Sequence, residues 1–222
     1  MSNTKLDEII VALEATGLPK QFTPEVSRLG VQLLRQIAQG QPVTMEQVQH
    51  IASDQDVSAD VVTSVIQQMC ERDQQGNVVG LIGLSQNDHA HKFRVNGHNL
   101  STWCALDALF LPILLDQTAE VIDQCPVTHM PIHLTVSPHA VEQYQPHSIV
   151  VSIVTPQTKM ESLASAEAIW MVFCNYVHFF SSAAAASTWF SEKQQPAHFV
   201  SVEEAFQIGN ALFGKLVEHV KA

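Results

Sequence analysis

Trp103-Cys104-Ala105-Leu106-Asp107 sets a thiol and a carboxyl three positions apart in an otherwise apolar stretch. On a helix, this spacing brings both side chains to one face about a turn apart. Thiolate sulfur is a soft metal ligand and a carboxyl carries a proton, so the pair suits chemistry on a soft metal. A second thiol follows in Phe173-Cys174-Asn175-Tyr176-Val177-His178-Phe179-Phe180. Each feature also has a packing explanation. A cysteine in an apolar segment is commonly a small buried hydrophobe. Asp107, whose charge would cost several kcal/mol if buried without partners, is also accounted for by a hydrogen bond to backbone or to Trp103. Trp103 and Phe173 flank the two cysteines, as an apolar pocket for organic groups or simply as core.

The remaining thiols and imidazoles carry less. Cys70 falls beside the apolar face of a predicted helix and reads as packing. Cys125 precedes Pro126 in a turn between predicted strands, with no acid or base at useful spacing, and reads as structural. Cys125, His129 and His133 form a C-x3-H-x3-H string, but a turn-and-strand path does not converge ligands at that spacing as a helix does. Asp88, His89 and His91 lie near a turn and read as solvated loop residues. The chain has eleven histidines and four cysteines, yet none repeats an H-E-x-x-H, facial-triad or C-x-x-C spacing. The widely spaced cysteines read as free thiols in a reducing compartment.

The elements that must position these groups change character near residue 80. Before it the pattern is helical. Leu6, Ile9, Ile10 and Leu13 repeat at helical spacing and stop at Gly17, and Thr23-Pro24 opens a second helix that ends at Gly40,. Thr44 to Gln47 fits a capping box for a short helix through Ile51, and Ser58 opens a fourth with Val61, Val62, Val65, Ile66 and Met69 on one face,. A turn at Gln75-Gly76-Asn77 leads to a strand over 78–84. Helix, short helix, helix and strand is the order of a winged helix. Thereafter short strands are predicted at 92–95, 119–122, 132–136 and 148–154, with helices at 101–115, 183–193 and 202–220. Residues 169–180 favour a buried strand by their Val, Phe and Tyr content. The fold class is α+β: an N-terminal helical winged-helix-like domain (1–80), then a mixed domain of short antiparallel strands and helices (81–222).

Composition narrows the function classes. The 222 residues carry a formal charge of −11, divided as 5 basic against 10 acidic residues over 1–80 and 6 against 12 over 81–222. Between Thr44 and Arg72 the only basic residue is Arg72, against Glu46, Asp54, Asp56, Asp60 and Glu71. A recognition helix so charged would be repelled by phosphates, so nucleic acid is excluded as a partner, and anionic membrane surfaces likewise. The longest apolar run, Ala108 to Leu115, is interrupted by Pro112 and falls far short of a membrane span,. Asp7, Glu8 and Glu14 fit no signal peptide, which leads to a cytoplasmic expectation.

Four blocks resemble the organomercurial (alkylmercury) lyases: residues 103–107, Leu134-Thr135-Val136-Ser137-Pro138, Phe173-Cys174 with Val177-His178-Phe179-Phe180, and Val200-Ser201-Val202-Glu203-Glu204-Ala205-Phe206. Their order and spacing agree over nearly the whole chain, most clearly from Asn99 onward. The resemblance implies cleavage of a carbon–mercury bond to a hydrocarbon and Hg(II) by two cysteines and an aspartate, mapped onto Cys104, Cys174 and Asp107. It assigns Cys125 to the family's structural cysteine. It implies no cofactor, with Hg(II) as bound product, and organomercurials, cellular thiols and a mercuric reductase as partners. Some members carry a further cysteine where this chain has Asn175. The competing reading is a protein that uses the same three residues to bind or sense a soft metal, without lyase activity.

Overall fold

The computed structural model describes residues 4–156, 165–193 and 195–220. Four helices come first: α1 (Thr4–Glu14), α2 (Pro24–Ile37), α3 (Met45–Asp54) and α4 (Ala59–Gln68). Local sequence accounts for their ends. The Thr23 hydroxyl accepts from the Val26 N–H with Pro24 at the first helical position, and Thr44 and Gln47 close a reciprocal capping box,. α3 runs past the expected stop at Ile51. Gly17 and Gly40 take positive φ after α1 and α2,. Because α4 ends at Gln68, Cys70 is not on a helix but opens β1 (Cys70–Arg72), which pairs antiparallel with β2 (Val78–Leu81). Val78 also bridges Val43, tying this pair back to the segment between α2 and α3.

The strand expected over 78–84 breaks at Ile82-Gly83, both at positive φ, and resumes as β3 (Leu84–Ser85). A tight hairpin then joins β4 (His91–Val95) to β5 (His98–Thr102) through Asn96-Gly97, both again at positive φ,. Ser101 and Thr102 pair with β3 and β4, so the helix expected from Ser101 starts only with α5 (Ala105–Leu115). β6 (Ala119–Gln124) and β7 (Pro131–Val136) follow as expected, and β8 (Val141–Gln145) is an additional edge strand. The eight strands form one antiparallel sheet in the order β1-β2-β3-β5-β4-β6-β7-β8.

A second sheet, β10-β9-β11, is built from β9 (Val150–Val154), β10 (Phe179–Phe180) and β11 (Ala197–Val200). Residues 169–180 are not one strand. They form most of α6 (Ala166–Val172), a 3₁₀ turn at Cys174–Tyr176 and only the two strand residues of β10. The β propensity of that stretch yields to tertiary context: the Ser165 cap starts a helix, and the turn is pinned from β9 as described below. α7 (Ala183–Ser191) and α8 (Val202–Phe213) complete the chain, and α8 opens with the expected Ser201–Glu204 capping box. α8 gives way to a 3₁₀ segment, Gly214–His219, before the expected end at Val220.

α5 is the central helix. Ten of its eleven residues are buried, so it has no solvent face and its apolar pattern shows no helical stripe,. It lies against β4 and β5 and packs closely on α8. A Cβ at Gly209 would come within 2.8 Å of the Phe110 Cβ, and Phe110 stacks on Phe213 at 4.3 Å between centroids. The result is a mixed α+β fold of antiparallel sheets around a buried helix whose first turn carries the candidate site. Among the described residues no helix is long and apolar enough to cross a membrane.

Candidate active site

Cys104 does not sit inside a helix. It is the N-cap of α5, in extended conformation, and Asp107 is the third helical residue. The two are close because they form a capping box: the Cys104 N–H donates to Asp107 Oδ2 at 2.8 Å, and the Asp107 N–H points at the Cys104 sulfur,. Nearby backbone bonds fix this corner. The Trp103 N–H donates to the Gly83 carbonyl at 2.9 Å and the Thr102 hydroxyl to the Cys104 carbonyl at 3.0 Å. Gly83 is required. Its φ is +86°, and a Cβ there would lie 2.3 Å from Asp107 Cγ, so only the missing side chain lets the carboxyl occupy its place,.

Cys174 arrives on the 3₁₀ turn after α6. The Ser152 hydroxyl of β9 donates to the Tyr176 carbonyl at 2.7 Å and accepts from the His178 N–H at 3.0 Å. The His178 ring closes the turn, with Nε2 3.0 Å from the Asn175 carbonyl, which accepts. The Ala105 N–H donates to the Val177 carbonyl at 3.0 Å and ties this turn to the start of α5. The sulfurs of Cys104 and Cys174 and a carboxylate oxygen of Asp107 consequently lie within 4.8 Å of one another, all buried. Residues remote in sequence thus meet, and Asp107 joins them through the cap.

Burial sets the protonation states. The Asp107 carboxyl is pushed up to about 7 by burial, against the opposing pull of its hydrogen bonds with Cys104 and of His91 and His89 nearby,. Burial lifts the Cys104 thiol well above its ordinary range, reinforced by the hydrogen bond to Cys174 and the nearby carboxyl. For Cys174 the hydrogen bond from Cys104 pulls downward, but burial and Asp107 together outweigh it and the thiol is raised. Both thiols therefore hold their protons near neutral pH, and the carboxyl beside them titrates there. Two thiols that can share one soft metal atom, beside a carboxyl that gains and loses its proton near neutrality, form an arrangement that can bind a metal and deliver a proton in one place.

Trp103 and Phe173 both line an apolar cavity of about 50 Å³ that Cys174 and Asp107 also face. The Trp103 indole N–H is buried without a hydrogen-bond partner among the described residues. The other candidates lie elsewhere. Cys125 is fully buried in the β6–β7 turn, and although burial pushes its thiol up, donors from Ser181 and Thr128 outweigh it and bring it down to about 7. Cys70 is half-buried and raised to about 12 by desolvation. His129 and His133 do not join Cys125 in any ligand cluster among the described residues.

His91 is not a solvated loop residue. It is 2 % exposed and its Nδ1 lies 2.5 Å from Asp123 Oδ2. β4 begins at His91, and the alternation His91-Phe93-Val95 turns all three inward. That alternation was the available signal. His89 is half-buried, 3.0 Å from a Glu71 oxygen, while Asp88 is exposed and paired with Lys92. Gly83 and Ser152 hold the site and lie in no motif, although a glycine inside an apolar strand pattern does mark close backbone approach; His178 lies in one of the resembling blocks, which gives it no role of its own.

The family model described as "MerB: Alkylmercury lyase" matches residues 84–214. An alkylmercury lyase of Pseudomonas putida is 37% identical over 213 residues, covering 95% of this chain and 93% of that protein. One from Streptomyces lividans is 40% identical over 182 residues, covering 81% of this chain and 79% of that protein. The crystal structure of the mercury-bound form of MerB2 superposes with a TM-score of 0.70 over 97% of this chain and 100% of its own, and at 24% identity it shares the fold.

Proposed function

The chain belongs to the alkylmercury lyase family, and on that premise we propose that it cleaves the carbon–mercury bond of organomercurials in mercury detoxification, yielding a hydrocarbon and Hg(II). The observation that carries the assignment to particular residues is the cluster of Cys104, Cys174 and Asp107 within 4.8 Å. Mercury is soft and prefers sulfur to oxygen or nitrogen, so two thiolates compete for it where carboxylates would not. A free carbanion is too basic to leave, so the carbon must be protonated as the bond breaks.

The atoms balance as follows. Each thiol gives up one proton as its sulfur bonds mercury. One proton passes through the Asp107 carboxyl to the carbon, forming the C–H bond while the electron pair of the C–Hg bond stays on carbon. The other leaves the site. Asp107 suits this relay because its carboxyl titrates near neutrality instead of in the usual acid range,. Hg(II) then remains on the two sulfurs until external thiols or a mercuric reductase take it, and no resident cofactor takes part. Trp103 and Phe173 line the space for the organic group, and Cys125 is structural.

The order α2, α3, α4, β1, β2, with Val43 bridging Val78, supports a winged-helix-like module over 1–80 beside a catalytic part over 81–222. The acidic charge of that module argues against nucleic acid, and the reading places the enzyme in the cytoplasm. The test is direct. Purified protein with phenylmercury or methylmercury in excess thiol should release benzene or methane, and release no greater than the thiol-only control would overturn the assignment.

A further inference from the structure

We propose that the depression between Trp103 and Trp170 is a subsite for the ring of arylmercurial substrates, and that Trp170 is a specificity-determining residue; the inference rests on the cleavage reading above. The inner cavity, at about 50 Å³, has room for a few water-sized groups,. Whatever carbon is protonated must lie in it, because Asp107 faces it. That cavity has room on the scale of a methyl group, and a ring calls on more space,. That space adjoins. A second cavity of about 320 Å³ is lined by Glu71, His89, Trp103, Ala166, Glu167 and Trp170, and it shares Trp103 and Ala166 with the first.

The walls fit an aromatic occupant. Glu71 is engaged on both oxygens, by His89 on one and by Ser85 and Asn87 on the other, so its carboxylate is satisfied within the wall. What the wall offers a ligand is largely the two indoles, and aromatic rings gain from edge and face contacts beyond simple area burial,. An arylmercurial would hold its mercury-bound carbon at Asp107 and extend its ring past Trp103 towards Trp170.

The experiment compares kcat/KM for phenylmercury and methylmercury in excess thiol for the full chain and its variants. Trp170→Ala should lower the phenyl-to-methyl selectivity ratio about tenfold, mainly through KM for phenylmercury. Trp170→Leu, which keeps apolar bulk for folding, should lower the ratio about threefold. A ratio unchanged within about twofold in a folded variant, or an equal loss on both substrates, would overturn the subsite. Failure of the cleavage reading looks different: the unmodified protein would release hydrocarbon from neither substrate.

Discussion

Cys104 and Cys125 are both fully buried, and their surroundings move the two thiols in opposite directions. Around Cys125 the hydroxyls and N–H groups of Ser181 and Thr128 supply donors that favour thiolate. Cys104 instead faces Cys174 and a carboxyl, and both of these disfavour its charge. The comparison separates two uses of a buried sulfur. Donors that stabilise thiolate make an anchor, here joining the β6–β7 turn to Ser181 beside β10, with Thr128 and Ser181 themselves 2.9 Å apart. Cleavage that must end in a new C–H bond needs the opposite: sulfurs that keep their protons until mercury displaces them, and an acid beside them to pass one on.

The largest expected effect divides the two cysteines outright. Cys104→Ser should lower hydrocarbon release from phenylmercury by at least about a thousandfold, because oxygen is a poor ligand for so soft a metal. Cys125→Ser should leave kcat within about tenfold while lowering the melting temperature, since a hydroxyl stays neutral and cannot offer the same donors a thiolate's charge,. A folded Cys125→Ser protein as inactive as Cys104→Ser would break the comparison. Asp107→Asn is next. It removes the transferable proton but keeps both sulfurs, so kcat should fall about 10²- to 10⁴-fold. The organomercurial should still bind, as a protein adduct detected by intact mass. Normal turnover would remove Asp107 from the proton path.

Much of this site was legible in the sequence, but its geometry was not. The spacing from Cys104 to Asp107 pointed correctly to proximity, although the cause is a capping box at a helix start and not one face of a helix interior. α5 starts later than local sequence suggests because Ser101 and Thr102, helix-compatible on their own, are claimed by strand pairing to β3 and β4, a non-local contact that no window reveals. For the same reason the Cys174 segment read as strand: its clamp is Ser152, on another strand. Helix caps at Thr23, Thr44 and Ser201 were legible because they are local,. At His91 the neighbouring turn signal competes with the alternation His91-Phe93-Val95, and the structure follows the alternation,.

Gly83 tests how tightly the Cys104 corner is made. Gly83→Ala places a Cβ 2.3 Å from Asp107 Cγ at a φ of +86°, so the carboxyl or the turn must move. We expect a loss of about 2 kcal/mol in stability by chemical denaturation. A loss of kcat of up to about a hundredfold should accompany it, since catalysis is sensitive to displacements of about an ångström. A glycine substitution at Gly76, where a Cβ meets nothing within 4 Å, serves as the matched control for positive-φ strain alone. Equal kinetic loss at both positions would show that backbone strain, and not displacement of Asp107, is responsible.

The effect that leaves kcat aside is a slope of stability with pH, and the two sites should give it opposite signs in adjacent windows. Asp107 rises from 3.8 to about 7 on folding. Between those values the native protein keeps a proton that the unfolded chain releases, so this contribution is full at low pH and is lost as pH rises to 7. Cys125 falls from 9.0 to about 7, so its contribution is present above 9 and is lost as pH falls through 7,. Each slope is at most about 1.4 kcal/mol per pH unit. His178, lowered to about 4 by burial, acts against Asp107 below pH 6.5, so the raw curve mixes them. Subtracting the wild-type curve removes the groups that a substitution leaves alone, His178 among them. Below pH 9, where Cys104 and Cys174 keep their protons in either state, the difference curve for Asp107→Asn should run over pH 4–7 and that for Cys125→Ser over pH 7–9, with opposite slopes; curves of the same sign would mean that the two buried sulfur environments are not electrostatic opposites.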